Sequence, residues 1–210
     1  MKVFPLFFFT YFSLNFLSLT AQEFTPPIEN YSSVEYQAGR QNWGIAIDDK
    51  GIVYSANHRG LLVFDGQRWE LLPLKNNAII RSVYPHQGRI YIGSYQEFGY
   101  WEKNIKGQFC YTSLIPLLEE YQMQSEEFWE ILSYKGEVYF RSFGAIYKYD
   151  GKKIEVVKNV VINEMAVYKD QLLLAKGNVS GKCRDLYLFA RFCSLFARCF
   201  LLPAHTGICE

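Results

Sequence analysis

Aromatic and arginine side chains recur beside short apolar segments of this sequence, at positions that a repeat would make equivalent. Some begin an apolar segment and others follow the end of the next one. The candidate binding residues are Trp43, Arg81, Trp129, His58, Arg59, Tyr95 and Arg141. A guanidinium group binds a carboxylate through two parallel hydrogen bonds, and aromatic rings on loops offer flat apolar contacts. These residue types predict a site for a saccharide or another small ligand.

Each of these residues also has an ordinary structural interpretation. Trp43 and Trp129 suit packing between neighbouring sheets, because large aromatic side chains more often serve a core than a surface site. Arg59, Arg81 and Arg141 suit a solvated rim equally well. The sequence leaves both interpretations open.

The sequence contains few residues in the arrangements that catalysis requires. Asp48 and Asp49 form an acidic pair, but they precede Gly51 in a turn, where solvated acids are common. The three histidines lack metal-ligand spacing, and neither a nucleophile elbow nor a phosphate loop occurs. We therefore expect no catalytic residue, no metal and no cofactor. The alternatives are a fragment of a polysaccharide lyase or glycosidase, or a structural or adhesive repeat protein.

The elements that must position these residues repeat along the chain. Four times, an apolar segment, a tight turn and a second apolar segment follow one another. The turns contain Gly51, Gly88, Gly136 and Asp170, residue types that tolerate positive φ angles. Two further apolar segments follow each of the first three pairs, twice through Asp-Gly, which is a strong hairpin signal.

Four short strands in a repeat of roughly 40 residues are typical of a β-propeller blade. The sequence therefore predicts an all-β fold, a partial β-propeller of about three four-stranded antiparallel blades plus one hairpin, over residues 22–177. The polar stretch 115–127 is expected to form a loop or short helix between blades. A β-sandwich of the same strands is the alternative.

Residues 1–21 have the order of a secretory signal peptide. A single Lys2 precedes the apolar stretch 3–19, and Ala21 then offers a small residue for cleavage before the polar Gln22. Pro5, Ser13 and Asn15 interrupt that stretch, which is also short for the alternative, a membrane anchor. Export to the periplasm is therefore expected.

Residues 178–210 differ in composition from the repeats. Four of the five cysteines lie here, and Leu-Phe-Ala-Arg occurs twice within 188–198. One interpretation is an amphipathic helix. Another is a disulfide- or metal-bearing tail, although its cysteines lack the close pairs of a zinc site. The third is an aberrant tail, frameshifted or non-native, because a blade that stops after two strands leaves an unpaired edge.

Three segments resemble a known family. They are AGRQNWGIA at 38–46, GLLVFDGQRW at 60–69 and GRIYIGSYQEFGYW at 88–101. They resemble the N-terminal ligand-binding propellers of Bacteroidetes periplasmic signalling proteins. The resemblance implies further repeats, a β-sandwich with a three-tyrosine motif, a membrane helix, and a cytoplasmic output module. That module is a LuxR-type regulator in one branch and a histidine kinase of a two-component system in the other.

The resemblance covers residues 22–177 and implies a truncated sensor without its output module. Its implied partner is a small-molecule or oligosaccharide ligand, and it allows the whole receptor to be a dimer. Contact with a membrane is expected only through segments downstream of this sequence. With a net charge of +1 and no basic run, nothing here predicts nucleic-acid binding.

Overall fold

The computed structural model describes residues 28–118, 123, 125–158, 161–177 and 183–189. The chain divides into two compact units, 1–31 and 32–210, and every described strand lies in the second. The predicted signal peptide and most of the tail lie outside the described residues. No described helix has the length and apolar character needed to cross a membrane.

The first two blades are four-stranded sheets with their strands in sequence order, each antiparallel to the next. Blade 1 consists of β1 (Asn42–Ile47), β2 (Val53–Asn57), β3 (Gly60–Phe64) and β4 (Trp69–Leu72). Blade 2 consists of β5 (Ile80–His86), β6 (Arg89–Ser94), β7 (Phe98–Lys103) and β8 (Phe109–Ser113).

Blade 3 has the same order, and a short 3₁₀ helix, Ile115–Leu118, precedes it. Its strands are β9 (Glu130–Tyr134), β10 (Glu137–Arg141), β11 (Ala145–Tyr149) and β12 (Ile154–Lys158). The predicted short helix between blades 2 and 3 is therefore present. The fold is a partial β-propeller of four-stranded antiparallel blades, as the repeats predict.

Blade 4 holds one strand more than the hairpin expected from the sequence. Its strands are β13 (Ile162–Tyr168), β14 (Gln171–Gly177) and β15 (Cys183–Phe189). β15 pairs antiparallel with β14, bringing Leu186 opposite Ala175 and Leu188 opposite Leu173. The second half of β15 is a continuous apolar run, Leu186-Tyr-Leu-Phe189, and short apolar runs suit a strand, so the strand pattern continues past the change of composition at residue 178. The origin of the tail stays a prediction.

In the two Asp-Gly hairpins, the aspartate side chain accepts backbone hydrogen bonds that stabilise the turn. Asp65 Oδ1 accepts hydrogen bonds from the backbone N–H groups of Gln67 and Arg68, and the φ of Gly66 is 93°. Asp150 and Gly151 repeat this arrangement. These backbone hydrogen bonds hold the pKa of both carboxyl groups below its ordinary value.

The core lies between neighbouring blades. Apolar side chains of blade 1, such as Leu61 and Val63, pack against Ile92 and Trp101 of blade 2. A second cluster, between blades 2 and 3, is mainly aromatic, and its fully buried aromatic members are Phe98, Phe128, Phe140 and Tyr147. A third joins blade 3 to blade 4. Because sheet faces pack against sheet faces, the first strands of successive blades lie side by side and start at the same end.

Candidate functional site

The candidate site lies where the first strands of the blades begin. The pairing register skips one residue near the start of β1, β5 and β13. The skipped residues are Trp43, Arg81 and Asn163, and Trp129 directly precedes β9 in the third blade. A β-bulge re-aims a side chain away from its alternating direction, and bulges are common beside functional sites.

Three of the predicted residues meet at this end. The guanidinium carbon of Arg81 lies 3.9 Å from the ring centroid of Trp43 and 5.0 Å from that of Trp129. The two indole rings lie 5.9 Å apart, at 75° to each other. Blades 1, 2 and 3 each contribute one member, so a cation–π contact ties three repeats together.

Glu127 forms an ion pair with Arg81. Its Oε1 accepts a hydrogen bond of 3.0 Å from Arg81 Nη2, with side chains 27% and 14% exposed respectively. The backbone of Glu127 is held by a β-bridge to Tyr95. This ion pair is half-buried, and it was not expected from the sequence, because nothing in the polar stretch 115–127 marks one acid as special.

Aromatic surface remains open to solvent around the ion pair. Trp43 is 37% exposed and Tyr95 46%, and Phe143, whose ring lies 5.7 Å from that of Trp129, is 62% exposed. Phe143 follows β10 as Tyr95 follows β6, and this shared loop position is the signal that could have found it. We call Trp43, Arg81, Trp129 and Phe143 the aromatic cluster.

The aromatic cluster holds buried hydrogen-bond donors. Arg81 Nε and Nη1 and Trp129 Nε1 are buried and have no acceptor among the described residues. Buried donors without acceptors are uncommon in folded proteins, and each lowers stability. The cluster therefore combines exposed aromatic surface with buried donors that have no acceptor among the described residues.

Arg141 occupies a different environment. It is only 8% exposed, its Nε donates to Glu130 Oε2 at 2.7 Å, and its Nη1 donates to the carbonyl of Ile162 at 3.1 Å. The same Glu130 oxygen accepts from the backbone N–H of Met165. The structure thus places Arg141 in the wall between blades 3 and 4, whereas the sequence left open a ligand contact or a solvated rim.

His58 and Arg59 form the exposed β2–β3 turn, one strand further out than Trp43. The buried Asn57 fixes this turn: its Oδ1 accepts from the backbone N–H of Arg59 and of Gly39, each at 3.0 Å. The structure does not bring Arg59 and Arg141 together with Arg81.

Asp48, which was considered for acid chemistry, has structural partners. Asp48 accepts hydrogen bonds from the backbone of Lys50 and Ile52 and from the Tyr54 hydroxyl, so it shapes the β1–β2 turn. These bonds lie at the opposite end of β1 from Trp43. Among the described residues, no group of three histidine, cysteine or acidic side chains is placed to hold a metal ion.

Comparison with known proteins gives fold-level likeness only. No protein-family model matches the chain, and no curated protein sequence matches it. Two crystal structures of the extracellular domain of BT4673 from B. thetaiotaomicron are similar, at 14% identity with TM-scores of 0.51 and 0.53. One is described as a candidate one-component system and the other as a candidate hybrid two-component system. They cover 71% and 73% of this chain.

YCF48 from Cyanidioschyzon merolae is similar over 64% of this chain and 48% of its own, at 11% identity and a TM-score of 0.50. This chain spans only 20% of each BT4673 structure. The likeness therefore supports the fold of the repeats.

Proposed function

We propose that the chain belongs to the sensor region of an extracytoplasmic receptor and binds a small ligand at the aromatic cluster. The observation that carries this proposal is the guanidinium group of Arg81, stacked between indoles from two other blades beside exposed aromatic faces. The likeness to the extracellular domain of BT4673 supports a role outside the cytoplasm.

The proposed ligand is a neutral saccharide. The exposed faces of Trp43 and Phe143 suit the apolar face of a sugar ring. An anion is disfavoured, because Nη2 of Arg81 already pairs with Glu127, whose carboxylate would repel a second negative charge. Tyr95 pairs with Glu127 beside the cluster and is proposed as an outer contact. His58 and Arg59, in the exposed β2–β3 turn, are proposed as contacts for a longer ligand.

The proposed activity is binding without turnover. A glycosidase needs two carboxyl groups, about 5–10 Å apart, that can act on one bond. Glu127 is paired with Arg81 and Glu130 with Arg141. Glu126 accepts hydrogen bonds from the hydroxyl groups of Ser142 and Tyr147, so each of these three carboxylates has a structural partner. Export through residues 1–21, and an output module of the LuxR or histidine-kinase type, are parts of the same proposal.

Calorimetric titration with defined oligosaccharides tests this proposal. The probes are cellohexaose, xylohexaose and mannohexaose as neutral chains, and pentagalacturonate as an anionic one. We expect binding of at least one neutral chain, and Trp43→Ala should weaken it about tenfold, the equivalent of ~1.4 kcal/mol.

Asp49→Ala is the matched control, because Asp49 follows the same strand at its opposite end and is exposed. Its affinity should equal that of the unmodified chain. Three results would contradict the proposal: binding of pentagalacturonate alone, no binding of any probe, or an equal loss of affinity in the Trp43→Ala and Asp49→Ala variants.

A further inference from the structure

A cleft of about 380 Å³ lies between blades 1 and 2, at the end of the strands opposite to the aromatic cluster. Small-molecule sites typically measure about 300–1,000 Å³, so the cleft has room for a compact ligand. The buried side chains of Tyr54 and Val63 form part of its apolar floor. Its exposed part carries charged side chains of both signs, which are Asp65, Arg68, Glu70 and Lys103.

The cleft exists because blade 1 has a small side chain at one position of the repeat. In the strand register, Val63 occupies the position that Tyr100 has in blade 2 and Lys148 has in blade 3. Tyr100 is buried in the cluster between blades 2 and 3, and Lys148 is largely buried between two carboxylates. Valine is shorter than either residue, so the space beside it in the gap between blades 1 and 2 stays open.

The charged side chains of the cleft differ from those at the equivalent positions in blade 3. There, Lys148 forms ion pairs of 3.3 Å with Glu137 and 3.0 Å with Glu155. Glu155 has the register position of Glu70, so Glu70 lacks the basic cross-strand neighbour that Glu155 has. Within the described part of the chain, neither Glu70 nor Lys103 forms an ion pair. The cleft thus presents charges of both signs above an apolar floor.

We propose that this cleft binds a free α-amino acid with an apolar side chain. Lys103, whose Nζ lies 4.7 Å from the ring centroid of Phe109, pairs with the carboxylate of the ligand. Glu70 pairs with its ammonium group, and the apolar side chain of the ligand lies on Tyr54 and Val63. A ligand with a single charge would leave either Glu70 or Lys103 unpaired, and the residue of like charge would repel it. A zwitterion satisfies both residues.

Calorimetric titration of the purified chain with L-leucine and two matched analogues tests the proposal. Isocaproate lacks the ammonium group of leucine, and isoamylamine lacks its carboxylate, while both keep its apolar side chain. We expect L-leucine to bind, and each analogue to bind about tenfold more weakly, because each loses one charge-assisted hydrogen bond.

Two exposed substitutions assign the charges of the ligand to their partners. Glu70→Gln should lower the affinity for L-leucine to that for isocaproate, and Lys103→Gln should lower it to that for isoamylamine. Both side chains are exposed, so the circular dichroism of the variants should equal that of the unmodified chain. Glu155→Gln is the matched control, because Glu155 has the register position of Glu70 but belongs to blade 3, and its affinity for L-leucine should be unchanged.

A third variant tests the shape of the cleft. Val63→Tyr places in blade 1 the side chain that Tyr100 supplies in blade 2, so it should fill the cleft and abolish leucine binding. No binding of L-leucine, equal affinity for leucine and both analogues, or leucine binding that Trp43→Ala weakens and Glu70→Gln does not, would each overturn the proposal. The saccharide titrations use other probes, so the amino-acid site and the aromatic cluster can fail separately.

Discussion

At the residue scale, Arg81 combines favourable and unfavourable contacts. Two indole faces and one carboxylate stabilise its charge, and cation–π contacts are worth up to about 2 kcal/mol when they are desolvated. Two of its buried nitrogens have no acceptor among the described residues, which offsets part of that gain. The balance favours Arg81 as the residue that orients both indoles.

Replacing Arg81 should loosen the aromatic cluster. Arg81→Ala removes both stacking contacts and the partner of Glu127, so we expect a loss of about 1–3 kcal/mol in the free energy of unfolding. The near-ultraviolet circular dichroism of the indoles should weaken as well. Urea denaturation followed by this signal measures both effects.

Arg59→Ala is the control for this prediction, because Arg59 is exposed in its turn. Its effect should stay within about 0.5 kcal/mol. Equal stability of the two variants would show that Arg81 does not hold the cluster.

The positions of some of these side chains could be predicted from the sequence, and those of others could not. The starts of the first strands could be identified from the repeats, so the shared end of Trp43, Arg81 and Trp129 was predictable. The environment of Arg141 was not, because it depends on Glu130 and on the Ile162 carbonyl of the next blade. The Arg81–Glu127 pair likewise joins residues far apart in sequence, and no local pattern reports such a contact.

At the element scale, the segment before β9 is fixed by its packing on blade 2. The backbone carbonyl of Phe128 accepts a hydrogen bond from Ser82 Oγ, and the backbone N–H of Phe128 donates one to the carbonyl of Ser94. Gly93 makes this approach possible: a Cβ at Gly93 would lie 2.5 Å from Phe128 Cβ and from Ser82 Oγ. The position of Glu127 and Trp129 therefore depends on a glycine in a neighbouring strand.

Adding one methyl group at Gly93 should displace this segment. Gly93→Ala creates a contact with Phe128 that cannot be relieved at a flexible side-chain end, so a loss of about 1–3 kcal/mol in stability is expected. Thermal unfolding measures it. Gly144→Ala is the matched control, because nothing lies within 4 Å of a Cβ there. A stable Gly93→Ala variant would show that the segment is not packed as described.

Most strands could be predicted, because apolar segments and Asp-Gly or Gly turns alternate regularly up to residue 177. β15 was not predicted, because its composition differs from that of the other strands. It pairs with the free edge of β14, and that edge is known only once blade 4 has been built. Turn chemistry is local and is visible in the sequence, whereas the pairing of an edge strand is not.

At the scale of the whole molecule, the account depends on how successive blades are placed. Sheet faces pack against sheet faces, the first strands lie side by side, and residues from three repeats meet at one end. Trp43 and Trp129 belong to blades 1 and 3, so their contact depends on the packing of blade 2 between them. If the blades were arranged otherwise, these two indoles would not touch.

A double-mutant cycle between Trp43 and Trp129 tests this placement most directly. Trp43→Ala, Trp129→Ala and the double variant are unfolded by urea, and the coupling energy is obtained from the three stability changes. Aromatic pairs in contact are coupled by about 0.5–1.5 kcal/mol, and we predict a value in this range. A control cycle of Trp43→Ala with Ile105→Ala, at the distant β7–β8 turn, should be additive. Additivity of the Trp43 and Trp129 substitutions, within the error of the control cycle, would contradict the account.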